Sequence, residues 1–212
     1  MLGANDGIVS VAGIVVGVAG ATSSKSTIFT AGLAGLAAGA LSMAAGEYVS
    51  VSSQRDTERV MLHKEKIELR DYPKEELQEL RELYEAKGLT KKTATIVAKE
   101  LTAKDAFAAH ADAELSINPN DLTNPWQAAI ASATSFLVGA CIPLVAIVVF
   151  PASIQVPLTF VSVLLALTLT GLLSARVSEA NKLKATLRVV IGGALAMAVT
   201  YSIGKLVGST GI

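Results

Sequence analysis

A chain of 212 residues that is 51% hydrophobic and only 17% charged, with mean hydropathy +0.51, is too apolar for an ordinary water-soluble domain. Its formal charge is zero, yet residues 54–124 hold 12 of the 18 basic and 15 of the 18 acidic residues. That mildly acidic block excludes a nucleic-acid surface, which needs a basic excess, and a single Cys141 excludes an intrachain disulfide.

Five apolar windows are long enough to cross a bilayer. The first runs from Gly3 to Ala21 with Asp6 as its one charge. Its Ala19-Gly20-Ala21 end resembles a signal-peptidase site, but the segment lacks a basic n-region and contains Asp6, so it reads as a span. The second runs from Ile28 to Val51 with Glu47 as its one charge, joined to the first by residues 22–27. No Gly or Pro separates it from the charged stretch that follows, so one helix is expected to continue out of the membrane. The remaining windows are Trp126 to Phe150, carrying Pro143, then Val156 to Ala175, then Val189 to about Leu206.

Three segments follow: 1–53 with two spans, 54–124 as a polar helical domain, and 125–212 with three spans. The fold class is all-α, a polytopic membrane protein with a three-helix domain inserted between the second and third spans. Arg176, Lys182, Lys184 and Arg188 lie between the last two spans, whereas the loop from Pro151 to Gln155 has no basic residue. The positive-inside rule then places the N-terminus and the polar domain in the cytosol. The pairs Gly13/Gly17 and Gly35/Gly39 have the G-x-x-x-G spacing of close helix packing, either within the chain or as the seam of a homodimer.

In the polar block, the extension of the second span is expected to end at Asp71-Tyr72-Pro73, and a second helix to run from Pro73 to Lys87 before Gly88. Thr90 is expected to cap a third helix to about Ser116, with a break at Leu101-Thr102. Glu65 and Glu68, and Glu76 and Glu79, are each three apart; His110 and Glu114 are four apart, so each pair shares a helix face. Paired carboxylates with a His on packed helices hold di-metal centres, and the imidazole tips the choice toward iron, manganese or zinc. The bland alternative is a solvated face, since Lys64, Lys66, Arg70, Arg81 and Lys87 interleave with these acids. His63 is offset from Glu65 and reads as surface.

Inside the membrane, Met43 and Glu47 share a face. With Val51 at the boundary, Glu47 lies roughly 6 Å and Met43 roughly 12 Å deep, and Asp6 reaches a similar depth from its own end. A thioether beside two carboxylates suits a softer first-row ion better than magnesium or calcium, and Asn5 and Ser42 offer further oxygens. Against this, Asp6 alone can sit among headgroups at a helix N-terminus, and Met43 can face lipid. No nucleophile motif and no H-E-x-x-H occurs, so the chain does not read as an enzyme.

The blocks GANDGIVSVAGIVVGVAGA and AGLAAGALSMAAGEYVSVSSQRDTE strongly resemble the vacuolar iron transporter (VIT) family, and KGLTKKTATIVAKELT and HADAELSI resemble its bacterial members. The resemblance covers essentially the whole chain. It implies five spans, a homodimer with the pathway between the first two helices of each copy, and a cytosolic metal-binding domain. It also implies proton-coupled export of ferrous iron from the cytosol, with manganese, zinc or cobalt tolerated and no tightly bound cofactor. By that resemblance Asp6 and Met43 match the transmembrane metal-contacting positions and Glu47 lies in the family's block at the cytosolic mouth; Glu65, Glu68, Glu76, Glu79 and Glu114 match glutamates of the soluble domain, and His110 falls where some members have Met. An N-terminal extension before GANDG is expected to be missing. The host membrane would be the bacterial inner membrane, or the vacuolar one in a eukaryote. The alternative is a membrane-anchored sensor or buffer that binds metal without moving it.

Overall fold

A computed structural model describes residues 2–179 and 181–210; the outermost ends of the first and last expected segments, Met1 and Ile212, lie outside it. The described residues form seven helices: α1 Leu2–Ala21, α2 Lys25–Asp71, α3 Pro73–Ala86, α4 Lys91–Ala113, α5 Pro125–Val149, α6 Gln155–Val177 and α7 Lys182–Thr210. Five of them, α1, α2, α5, α6 and α7, are long and apolar enough to cross a membrane. The chain divides into two compact units, 1–48 with 126–212, and 49–125.

In the first unit α1 is the central helix, packed against α6 and α7 along its apolar face. Ile8, Val11, Ala12, Val15 and Val16 are fully buried. Small residues let the neighbouring backbones close on it. Gly13 and Gly17 face Thr200 of α7, and a methyl at Gly204 would strike the Gly17 carbonyl. Gly7 and Gly139 bring α1 and α5 equally close through Phe136 and Ala4. The Gly13/Gly17 pair is therefore taken up inside the chain. Gly35 does meet Ile14 of α1, but Gly39 receives the Phe136 ring of α5. Spacing alone left open which neighbour each glycine admits. Gly204→Ala is expected to cost about 1–3 kcal/mol through overpacking against backbone that cannot yield, read as a lowered unfolding temperature in detergent.

The outer faces of the same helices carry Leu41, Val138, Leu165 and Val177, each more than half exposed, as lipid-facing side chains should be. Helix α7 begins among Lys182, Lys184 and Arg188, earlier than the expected Val189. Hydropathy marks the apolar window, whereas Lys and Arg are good helix formers and carry the helix beyond it. At the other end of this unit Lys25 Nζ donates to the carbonyls of Val148 and Phe150 at 3.1 and 2.9 Å, closing the C-terminus of α5.

Helix α2 is 47 residues long, roughly 70 Å, and its last part joins α3 and α4 in the second unit. Pro73 occupies the first turn of α3, and Tyr72 stands at the N-cap without a side-chain bond. Gly88, at φ +101°, takes the left-handed conformation that ends the helix. Thr90 caps α4 by accepting the Thr93 N–H. The break in α4 falls at Asp105, which is extended and accepts the Ala108 N–H at 2.9 Å. It was expected at Leu101-Thr102. The difference has a simple cause: Asp caps a helix better than Thr, so the second half starts from the acid itself. Leu80, Ala98 and Ala113 form the small core of this unit, with Leu77, Leu83, Tyr84, Leu101 and Ala109 packed around them.

Candidate metal centre

Each helix of the second unit sends one polar side chain inward. Glu65 from α2, Glu76 from α3 and His110 from α4 are 2%, 7% and 0% exposed, and their ligand atoms lie within 4.8 Å of one another. His110 Nδ1 is 3.1 Å from Glu65 Oε1, 3.5 Å from Glu76 Oε2 and 3.9 Å from Glu114 Oε2. Two ligands of one ion, each about 2.1 Å from it, can be at most about 4.2 Å apart. All three distances from His110 Nδ1 fall within that limit.

Proximity here does not mean satisfaction. Glu65 Oε1 and both ring nitrogens of His110 are enclosed without a hydrogen-bond partner, so the 3.1 Å approach is off the bonding direction. Buried polar atoms are normally paired, and an orphan costs roughly 1–3 kcal/mol. Two carboxylates and an imidazole left in this way fit a divalent first-row ion, which would supply the missing partner and the missing positive charge. Lys87 Nζ donates to the Ala113 carbonyl at 3.3 Å, tying the end of α3 to the last turn of α4, the turn that carries His110 and Glu114.

Electrostatics point the same way. Burial, then the charges of Glu114 and Glu76, push the Glu65 carboxyl up to about 7. Burial, then Glu79 and Glu68, raise Glu76. Burial lowers His110, opposed in part by the nearby carboxylates, so its imidazole is neutral and has a lone pair to offer. Without a cation the centre is therefore pushed toward its neutral forms; a cation reverses that preference. Metal must displace the Glu65 proton below about pH 7. Affinity is accordingly expected to climb with pH by as much as about tenfold per unit for one proton displaced, and to flatten above about 7. Competition titrations across that range would measure it, and an affinity independent of pH would contradict the assignment.

The other expected residues sit differently. Glu68 pairs on the surface with Lys64 at 3.0 Å. Glu79 is exposed on α3 and lines an open hollow with Glu75 and Glu82. Glu114 lies at the rim of the centre, its side chain 31% exposed. His63 is exposed.

In the first unit, Asp6 is exposed along α1 and accepts a hydrogen bond from Ser10 Oγ at 2.9 Å. Ser10 was not singled out from the sequence, although its i+4 spacing from Asp6 is visible there. Asn5 Oδ1, one residue before Asp6, is enclosed without a partner. Met43 packs against the apolar core and Glu47 is half-buried. Among the described residues, neither Asp6 nor Glu47 belongs to a cluster of three or more His, Cys, Asp or Glu side chains.

Comparison with known proteins shows which family the chain resembles along its length. The model of the VIT family matches residues 1–205. A protein of Acanthamoeba castellanii named vacuolar iron transporter is 45% identical over 208 residues, covering 97% of this chain and 76% of that protein. Vacuolar iron transporter homolog 2.1 of Arabidopsis thaliana is 35% identical, covering 99% and 80%, and VIT-like transporter 1b of Glycine max is 32% identical, covering 100% and 76%. With a family match along nearly its whole length and relatives this similar, the chain is an integral membrane protein that belongs to the VIT family.

Proposed function

We propose that this protein transports ferrous iron, and with it manganese and related divalent ions, out of the cytosol in exchange for protons. The observation that carries the reading is the buried set Glu65, Glu76 and His110, whose polar atoms lack partners in a chain with five apolar spans. Its relatives' names point to iron. Glu65, Glu76 and His110, with Glu114 at the rim and Glu68 and Glu79 on the outer surface, collect the ion on the cytosolic side. Asp6, Met43 and Glu47 pass it through the membrane. A carboxylate holds either a metal or a proton, so a proton arriving from the far side weakens its hold on the ion and favours release.

The cytosolic assignment of residues 54–124 rests on Arg176, Lys182, Lys184 and Arg188, whose loop falls on the same side of the membrane when five spans are counted. A homodimer completes the pathway: Asp6 is exposed in the single chain, and a carboxylate facing acyl chains is costly, about 2.5 to 3.5 kcal/mol at the bilayer centre. A second copy would cover it.

Ferrous iron uptake into sealed proteoliposomes containing a pH reporter tests the whole reading. Iron should enter only with protein present, faster with an acidic interior, and the interior should become more alkaline as it does. Binding without flux would identify a sensor or buffer instead, and flux without a pH change would remove the proton coupling.

A further inference from the structure

The second unit is acidic as a whole, with 12 basic against 15 acidic residues in 54–124. One side of it is not. Arg59, His63 and Lys66 are spaced i, i+4 and i+7 along α2 and so form a single stripe. They line a cavity of about 390 Å³ closed by Asp105 and Phe107 at the break in α4 and by Asn120.

We propose that this cavity is an anion site that takes a phosphate-bearing ligand, either the headgroup of an acidic phospholipid or a small soluble phosphate compound. Arg59 offers a guanidinium fork and Lys66 an ammonium, and His63 adds a ring N–H donor. Among the described residues neither Arg59 nor Lys66 is in an ion pair, although acids are the commoner charge in this unit. The one carboxylate in the wall, Asp105, has its Oδ1 held by the Ala108 N–H as a helix cap. It leaves an excess of positive charge facing the space.

Lys66 Nζ lies 4.5 Å from the centre of the Phe107 ring, a cation–π contact that holds the ammonium against the wall of the cavity. Like charges on one helix face repel. A bound anion would turn that repulsion into paired, charge-assisted hydrogen bonds, for which a guanidinium fork and an ammonium are suited to phosphate. The volume is at the small end of ligand cavities, which run from about 300 to 1,000 Å³. It fits a phosphate carrying a small polar group. The site is separate from the metal centre in its chemistry and uses none of the metal centre's ligands, so it stands whether or not the transport reading does.

The test uses the full chain, stripped of metal with chelator because iron itself binds phosphate. One arm is equilibrium dialysis of the detergent-solubilised protein against radiolabelled inorganic phosphate. The other is native mass spectrometry after exchange with phosphatidylglycerol or, as a neutral-headgroup control, phosphatidylcholine. Retention of inorganic phosphate identifies a soluble ligand, and selective retention of phosphatidylglycerol identifies a lipid headgroup. In either case Arg59→Gln with Lys66→Gln should weaken binding by roughly tenfold or more. Lys91→Gln with Lys92→Gln removes the same charge from exposed positions at the start of α4 and should leave binding unchanged. Failure of both probes to bind, or equal weakening by the two double substitutions, would overturn the proposal. A native-like unfolding temperature of each variant excludes misfolding as the cause.

Discussion

Glu65→Gln is expected to make the metal-free protein more stable and the metal centre much weaker. The carboxyl is buried, and its proton is held up to about pH 7 by that burial and by Glu114 and Glu76. A raised carboxyl favours the folded state only while protonated; the fold is progressively penalised as pH climbs from the ordinary carboxylate range to about 7. The amide carries no charge and escapes that penalty. Above about pH 7 the variant should gain about 1–3 kcal/mol in denaturant unfolding of the metal-free protein, and below about pH 4.5 the gain should vanish. Removing a direct ligand should cost more than the 10- to 100-fold in affinity that loss of an outer partner costs, so binding of ferrous or manganous ion should fall by more than about 100-fold. A side chain kept for packing would show the reverse: lower stability and unchanged affinity. His110→Ala should match it in affinity but not in stability, because it also leaves a cavity.

Asp6→Asn is expected to stop flux into proteoliposomes while leaving the protein folded and the Glu65, Glu76 and His110 centre loaded. Asp6 is exposed and accepts a hydrogen bond from Ser10, a turn away on the same helix, so little of the fold depends on its charge. An amide keeps the shape and the hydrogen bond. It cannot neutralise a divalent ion or take up a proton at physiological pH. Flux should fall to the background of empty vesicles, with elution from size exclusion and iron bound per chain unchanged. Flux at the wild-type rate would remove Asp6 from the pathway. Glu47→Gln should follow Asp6→Asn if the two act on the same ion, and a double variant then adds nothing to either single one.

The two predictions draw on different depths of information. The five apolar windows are local: each depends on about twenty consecutive residues and on the thickness of a bilayer, and each corresponds to a long apolar helix in the structure. The lone acids Asp6 and Glu47 stand out for the same reason, since lipid makes any intramembrane charge conspicuous. Helix ends set by Pro73, Gly88 and Thr90 are local too. Where two local signals competed, as Thr102 and Asp105 did, the stronger cap decided.

The linear chain therefore determined which segments are apolar, where they start and stop, and which polar residues stand where lipid or a helix face makes them notable. Only the packing of α2, α3 and α4 determined that Glu65, Glu76 and His110 turn inward together while Glu68 pairs with Lys64 and Glu79 faces water. Residues three apart on a helix differ by about 60° in direction, so one member of each pair can turn further into the interior than the other. Which one does is set by how each helix is rotated against its neighbours. For α3 and α4 that rotation comes from burying Leu80, Ala98 and Ala113 in a common core, a contact between residues far apart in sequence that no single stretch of the chain contains.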